Sequence, residues 1–437
     1  MSLPRYAEYR DSGVEWLGEI PSHWSVRRLQ DIAQVINGYP FDSKLYCEEG
    51  GYPLIRIRDL DADETATRYA GDFVPAAAVM TGDVLIGMDG EFNVGRWLGS
   101  EQALLNQRMC CVRPPQHALA TFLRHALPAP LRAINDVTYS TTVKHLSSFQ
   151  VKSIRLALPE DAELEEIARF LDRETAKIDA LIAEQENLLA LLAEKRQATI
   201  SHAVTRGHAP NAPMKDSGIA WLGEVPAHWD ITRLGVILDA IGDVDHFMPA
   251  SVEQGVPYLM TGDLKEFVSE VSLEGCKQVS DEDYLALSRK IKSSKGDVIM
   301  ARYATIGTSM YVDVDTDFLV SYSCVTLKAN HSKVSGLYLF QYMRSDAFRQ
   351  GVEGQVNTNT QGNVGINHLK NISVVLPPIT EQAGIAAFVG SETARIDEMK
   401  AEAERAITLL RERRSALIAA AVTGKIDVRG AVEREAA

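Results

Sequence analysis

Apolar residues recur at three- and four-residue steps through two long stretches of this chain, residues 162–205 and 380–423, which contain no proline and almost no glycine. In the first, Ile167, Phe170, Leu171, Ile178, Leu181, Ile182, Leu188, Leu189 and Leu192 form the stripe; in the second, Ile385, Phe388, Val389, Ile396, Met399, Ala406, Ile407 and Leu410 repeat it. The spacing is that of a helical seam, and the rest of each stretch is rich in Ala, Leu, Glu, Lys and Arg, which favour helix. A helix of this length spans roughly 60 Å at ~1.5 Å per residue, more than one small domain can cover. It needs a partner, and its twin is the obvious one. The stretches before these helices read differently. Short β-branched or apolar runs at Leu54–Ile57, Asp83–Ile86, Val298–Met300, Ser323–Leu327 and Ile372–Leu376 are separated by Gly, Asp and Asn, which predicts strands of a mixed, sheet-rich domain.

The chain is written twice. Asp11-Ser12-Gly13-Val14-Glu15-Trp16-Leu17-Gly18-Glu19-Ile20-Pro21-Ser22-His23-Trp24 returns as Asp216-Ser217-Gly218-Ile219-Ala220-Trp221-Leu222-Gly223-Glu224-Val225-Pro226-Ala227-His228-Trp229, an offset of 205. Ile167-Ala168-Arg169-Phe170 and Glu174-Thr175-Ala176-Lys177-Ile178-Asp179 match Ile385-Ala386-Ala387-Phe388 and Glu392-Thr393-Ala394-Arg395-Ile396-Asp397 at an offset of 218. Each copy is therefore an anchor, a divergent middle and a long repeated tail, and the second copy gained about a dozen residues between its ends. Shared ends around divergent middles are how two readers of two different targets would be built. Arg206 to Pro213 closes the first helix and links into the second copy. Antiparallel pairing of the two helices would relate the copies by a pseudo-twofold axis and place the variable domains at opposite ends of a rod; parallel pairing is less easily reached through so short a linker.

The predicted fold is α+β: two tandem α/β domains, each followed by a long helix, the helices pairing as an antiparallel coiled coil. The boundaries expected are 1–160 for the first domain, 161–206 for its helix, 207–379 for the linker and second domain, 380–425 for the second helix and 426–437 for a tail.

Composition narrows the function. With 46% hydrophobic and 24% charged residues the chain is ordinary globular protein, and no run approaches the ~18 apolar residues of a membrane span. A cytoplasmic protein is expected, since the first ten residues lack an apolar signal core. Five cysteines without a C-x-x-C spacing argue for reduced thiols rather than a disulfide framework or a four-thiolate zinc site. A formal charge of −14 counts against nucleic acid as partner unless basic residues are gathered locally. They are: Ser288 to Tyr311 holds Arg289, Lys290, Lys292, Lys295 and Arg302 against Asp297, and Pro128 to Leu158 holds Arg132, Lys144, Lys152 and Arg155 against Asp136. The first tail carries 11 acidic and 6 basic residues from Glu160 to Arg206, so part of the negative charge sits on a helix that need not face DNA.

Catalytic motifs are missing. The Pro-Pro pairs read Arg113-Pro114-Pro115-Gln116 and Leu376-Pro377-Pro378-Ile379, without the amide or carboxylate that an adenine methyltransferase places before the prolines. Thr423-Gly424-Lys425-Ile426 lacks the first glycine and the hydroxyl of a phosphate-binding loop, and reads as a helix end closed by Gly424. His23, His228, His145 and His368 recur between the copies without a matched ligand set, and Trp16, Trp24, Trp221 and Trp229 read as core anchors. What the middles do carry is amide and hydroxyl clusters, Thr138 to Thr142 and Asn357 to Asn363, at the same place in each copy, just before Val143-Lys144-His145-Leu146 and Ile366-Asn367-His368-Leu369. Asn and Gln pair with adenine, Arg with guanine, and Ser or Thr with base or phosphate.

These features together resemble the specificity subunit of Type I restriction-modification systems, over essentially the whole chain. The doubled D-S-G-x-x-W-L-G-E-[IV]-P-x-H-W, the entry Leu376-Pro377-Pro378-Ile379-Thr380-Glu381-Gln382, and the helix ends at Glu194-Lys195-Arg196 and Ala421-Val422-Thr423-Gly424-Lys425 carry the resemblance. The first copy departs at its entry, where Leu158-Pro159-Glu160-Asp161 replaces the double proline and Glu163-Leu164 stands in place of Glu381-Gln382. The resemblance implies a non-catalytic subunit with two target recognition domains, each reading half of an asymmetric bipartite DNA sequence, and paired helices that fix the unread spacer. It also implies two modification subunits that bind S-adenosylmethionine and two restriction subunits that use ATP and Mg, so no cofactor or metal is expected in this chain. Candidate DNA-binding residues are Lys44, Arg56, Arg58, Arg96, Gln107, Arg108, Tyr139, Thr141 and Lys144 for the first half-site and Arg302, Tyr303, Thr305, Tyr322, Asn357, Asn359, Gln361 and Asn363 for the second. If Arg302 pairs with a base edge, its loss should relax one position of the second half-site by ~1 to 3 kcal/mol.

Two other readings stay open on the sequence. An acidic coiled-coil caliper joining two protein partners predicts no sequence preference on any DNA. An enzyme using Asp42 or Asp263 in a D/E-x-K fragment predicts metal-dependent cleavage by the purified chain.

Overall fold

The computed structural model describes residues 3–137, 144–209, 211–354 and 362–431. The chain forms two compact units, Met1–Gln185 with Ala406–Ala437, and Glu186–Arg405. Each long helix is thus shared: Asp161–Arg206 gives its first part to the first unit and its second part to the second, and Ile379–Val422 does the reverse.

The first unit is organised on a four-stranded antiparallel sheet in which Val84–Gly87 lies between Val94–Arg96 and Met109–Arg113, and Gln34–Asn37 closes the edge. A second sheet sets Tyr52–Ile55 parallel to Ala103–Leu105. The strand predicted over Leu54–Ile57 starts earlier and stops at Ile55, because the Asp59 carboxylate accepts the Arg56 amide at 2.8 Å and turns the chain into a short 3-10 helix, Ile57–Asp59. The second unit repeats this plan. Val298–Ala301 lies between Ser309–Tyr311 and Cys324–Ala329, with Leu238–Gly242 at the edge, and Val256–Leu259 runs parallel to Leu319–Val320. In each unit the repeated anchor leads into a strand, Ser25–Arg28 or Asp230–Arg233, that pairs with the strand just before the long helix, Arg155–Leu158 or Ser373–Leu376.

The doubled anchor motif has a structural purpose. In the first unit Trp24 is buried among Ile20, Leu29, Leu164, Ile167, Phe170, Ala421 and Val422, so the anchor packs on the start of one long helix and the end of the other. In the second, Trp229 is buried with Val225, Leu234, Ile385, Val389, Ala203 and Val204. Gly207 and Gly424 follow the two helices with φ of +76° and +68°, which glycine adopts at little cost. Both also lie against an anchor indole, where a Cβ would approach Trp229 to 3.2 Å and Trp24 to 3.3 Å. The first residues of the stretch expected as a tail continue this packing: the Asp427 amide donates to Pro4 O at 2.8 Å, and Val428 is buried in the same core.

The helical stripe is only partly covered. Leu171, Ile178 and Leu192, and Val389, Ile396 and Ala403, are buried at heptad spacing, while Leu181, Leu191, Phe388, Met399 and Leu409 are exposed. Thr175 and Thr393 are buried within the helices by donating to the carbonyls of Leu171 and Val389 at 2.7 and 2.8 Å. No helix among the described residues is long and apolar enough to cross a membrane. All five cysteines are free, and burial pushes the thiols of Cys110 and Cys324 up to about 12.

Candidate nucleic-acid interface

In both units the central strand of the four-stranded sheet runs on into an edge that is tied down by the segment following the polar cluster. In the first unit the Leu146 amide donates to Met88 O at 2.7 Å, the Gly90 amide to Lys144 O at 3.0 Å, and the Met88 amide to Arg108 O at 2.9 Å. In the second, the Val364 amide donates to Arg302 O at 3.2 Å and the Arg302 amide to Ser323 O at 3.0 Å. Asp89 pairs with His145 and Tyr303 with Asn363 as isolated antiparallel bridges. The match of His145-Leu146 to His368-Leu369 suggested by the sequence is therefore shifted by five residues. Leu146 corresponds to Val364, at the same offset of 218 as the tails, and each precedes a six-residue helix, Ser148–Ser153 or Ile366–Asn371.

On this common backbone the side chains differ. In the first unit Asp89 accepts from Arg108 Nη1 at 3.0 Å and contacts His145 Nδ1 at 2.7 Å. Lys144 Nζ donates to the backbone and side-chain oxygens of Asn135 at 2.7 and 2.9 Å, and Asn135 Nδ2 donates to Gly90 O. Arg108 and Lys144 thus meet Asp89, Asn135 and His145.

In the second unit Arg302 is buried and forms an ion pair with Asp243 Oδ2 at 2.7 Å; its guanidinium also lies 3.2 Å from His246 Nε2 and 5.0 Å from the centre of the Tyr303 ring. Lys290 donates to Asp243 Oδ1 at 2.9 Å, and His246 stacks on Tyr322 with centroids 4.9 Å apart. Burial pushes the Asp243 carboxyl up, but the Lys290 hydrogen bond and the charges of Arg302 and Lys290 more than offset this and hold it below the ordinary carboxylate value. Arg302, Tyr303, Tyr322 and Asn363 are brought together, with Thr305 exposed in the turn that follows. One backbone frame with two different donor and acceptor sets can address two different base sequences.

A model of the Type I restriction modification DNA specificity domain matches residues 21–190 and 250–406. The chain belongs to this family. The specificity subunit of the Type I restriction enzyme EcoBI from Escherichia coli is 28% identical over 428 residues, covering 96% of this chain and 90% of the relative. The putative MjaX specificity subunit of Methanocaldococcus jannaschii is 24% identical, with 94% and 96% covered. Among solved structures, a chain from work on complex assembly and conformational transition of the type I R-M system superposes with a TM-score of 0.66 at 17% identity, covering 92% of this chain and 98% of that one. The HsdS subunit from Thermoanaerobacter tengcongensis superposes with a TM-score of 0.51 at 13% identity, covering 93% and 98%. These two share the fold.

For this specificity-family chain, the remaining candidates fall into distinct settings. Lys44, Arg56 and Gln107 are exposed, and their side chains have no partner among the described residues. Arg58 is exposed but donates to Thr67 Oγ1 at 2.8 Å. Arg96 is not on the surface: it lies under the helix His117–Ala126, 3.3 Å from His117 Nδ1 and 3.4 Å from Thr121 Oγ1, and burial together with Arg124 lowers its pKa. A charged residue ending a strand reads from sequence as solvent-facing; here the strand Val94–Arg96 is covered by that helix. Tyr139, Thr141, Asn357, Asn359 and Gln361 lie outside the described residues. Sequence reasoning missed Asp89, Asn135, Asp243 and His246. The available signal was position, since Asp89 lies two residues beyond the Val84–Gly87 strand and Asp243 directly follows the Leu238–Gly242 strand.

Proposed function

We propose that this chain is the non-catalytic sequence-specificity subunit of a Type I restriction-modification complex, binding an asymmetric bipartite DNA target. The observation that carries the proposal is the pair of equivalent edges. The same backbone positions hold Met88, Asp89 and His145 in one unit and Arg302, Tyr303 and Asn363 in the other. A scaffold that merely joined proteins has no need to repeat a frame while exchanging its hydrogen-bonding groups. Residues 1–160 are the first target recognition domain, and 207–379 hold the linker and the second. The alternative of a protein-interaction scaffold without sequence preference has no comparable observation behind it.

The two long helices pair as an antiparallel coiled coil and set the spacer between half-sites. Supporting this, Asp179 pairs with Arg414 at 2.8 Å in the first unit, where Ile167, earlier in its helix, shares a core with Ala421, later in the other. In the second unit Arg196 pairs with Asp397 at 3.0 Å, and Ala203 shares a core with Ile385. The partners are double-stranded DNA, two modification subunits and two restriction subunits. S-adenosylmethionine, ATP and Mg belong to those partners, and the complex is cytoplasmic.

The test is to co-express the chain with the modification subunit of its system in a methylation-free host and map N6-methyladenine across the genome. A two-part motif with a fixed gap is expected, and exchange of residues 1–150 for another reader should change one half alone. A well-formed complex that methylates without a gapped motif would return the scaffold reading.

A further inference from the structure

We propose that His246 is a specificity-determining residue of the second reader, presenting its Nδ1 hydrogen to an acceptor on a base edge in the major groove; the inference rests on the DNA-reading function above. The surroundings of this ring in the second unit lead to it. The guanidinium of Arg302 always donates, and it stands 3.2 Å from His246 Nε2, so Nε2 is the accepting nitrogen. Asp243 Oδ2 lies farther from the same nitrogen, at 3.4 Å, and accepts from Arg302 at 2.7 Å. In the neutral ring the hydrogen therefore lies on Nδ1, which has no partner among the described residues.

The ring is also fixed. Its face stacks on Tyr322 at 4.9 Å and an interplanar angle of 29°, and its Nε2 edge is turned to Arg302. Its side chain is nevertheless 57% exposed. Meanwhile the cations around it are spent: Arg302 and Lys290 both bind Asp243, and Lys290 also lies 3.5 Å from Asp245. The polar group this cluster leaves open is thus a single oriented N–H rather than a free positive charge. Such a donor suits purine N7, guanine O6 or thymine O4, and contributes to discrimination more than to phosphate attraction. Phe247 and Met248, the next two residues of the chain, are both about half exposed and add apolar surface to this segment.

The test compares genome methylation motifs of the intact complex carrying wild-type chain, His246→Phe and His246→Asn. Phenylalanine keeps the stack on Tyr322 and removes the donor. The expected result is about five- to tenfold weaker preference at one base of the second half-site, with the first half and the gap unchanged. An unchanged motif overturns the proposal. If His246→Phe abolishes methylation, His246→Asn decides: a methylation motif that retains the first half and the gap and differs at one base of the second supports the role, and its loss as well shows the residue to be structural. Wild-type chain giving no gapped motif overturns the underlying function, and this inference with it.

Discussion

The indole of Trp24 donates its Nε1 hydrogen to Oε1 of Glu163 at 3.1 Å, binding the doubled anchor motif to the first turn of a helix 139 residues further on. The other carboxylate oxygen of Glu163 holds His23 Nε2 at 2.8 Å. The second copy repeats the arrangement, with Glu381 holding Trp229 at 3.0 Å and His228 at 2.8 Å. The recurring His-Trp pair is a clamp on the helix start.

Removing Glu163 should therefore cost more than removing Glu381. Glu163 is 8% exposed and Glu381 40%, so the first substitution leaves the buried Trp24 N–H without an acceptor, whereas water can replace Glu381. Glu163→Ala should destabilise the first unit by about 1–3 kcal/mol and Glu381→Ala the second by less. Hydrogen exchange of peptides around residues 20–29 and 225–234 checks the order, and equal effects would contradict the clamp's asymmetry.

Arg302 should behave as a brace. Asp243→Ala leaves a buried guanidinium without its counter-charge and is expected to cost about 3–5 kcal/mol in the second unit. Arg302→Ala should cost less, since Lys290 still pairs with Asp243. Urea unfolding followed through the second-unit tryptophans Trp221 and Trp229 measures both. A stable Arg302→Ala chain with one relaxed base position would show instead that Arg302 reads DNA directly.

Lys44 and Arg56 should contribute unspecific attraction. Both are exposed with unpartnered side chains among the described residues, the setting of phosphate contacts. Each alanine variant is expected to reduce the slope of log K against log salt by about 0.9 without altering the base preference. A titration of binding between low and moderate salt distinguishes this from base reading, which would change the preferred sequence.

Burial, with the charges of Arg124, Arg414 and Arg96, pushes the pKa of His125 down to about 4 from an ordinary 6.5. Because the unfolded chain takes up this proton more readily, stability is complete above about pH 6.5 and falls as the pH drops toward 4. The loss amounts to about 3 kcal/mol at most. His125→Gln should flatten that part of the pH profile in denaturant unfolding of the first unit; a profile as steep as wild type would place the acid sensitivity elsewhere.

The sequence by itself determined the two-copy plan, the long helices Asp161–Arg206 and Ile379–Val422, the helix end at Gly424 and, to within a few residues, five of the strands, because each depends on periodicity or on local turn chemistry. It also led to the family, through motifs that recur at fixed offsets. It did not show that Arg96 and Arg302 are buried, that Asp243 and His246 complete the second edge, or that Leu146 answers to Val364 rather than to Leu369. Those facts depend on strands brought together from far apart, Leu238–Gly242 beside Cys324–Ala329 for example, and on which face a helix then covers. Nor did it show that each unit is completed by the end of the other copy's helix, with Ala421 and Val422 around Trp24 and Ala203 and Val204 around Trp229. An apolar stripe states that a face must be covered; only tertiary packing selects the surface that covers it.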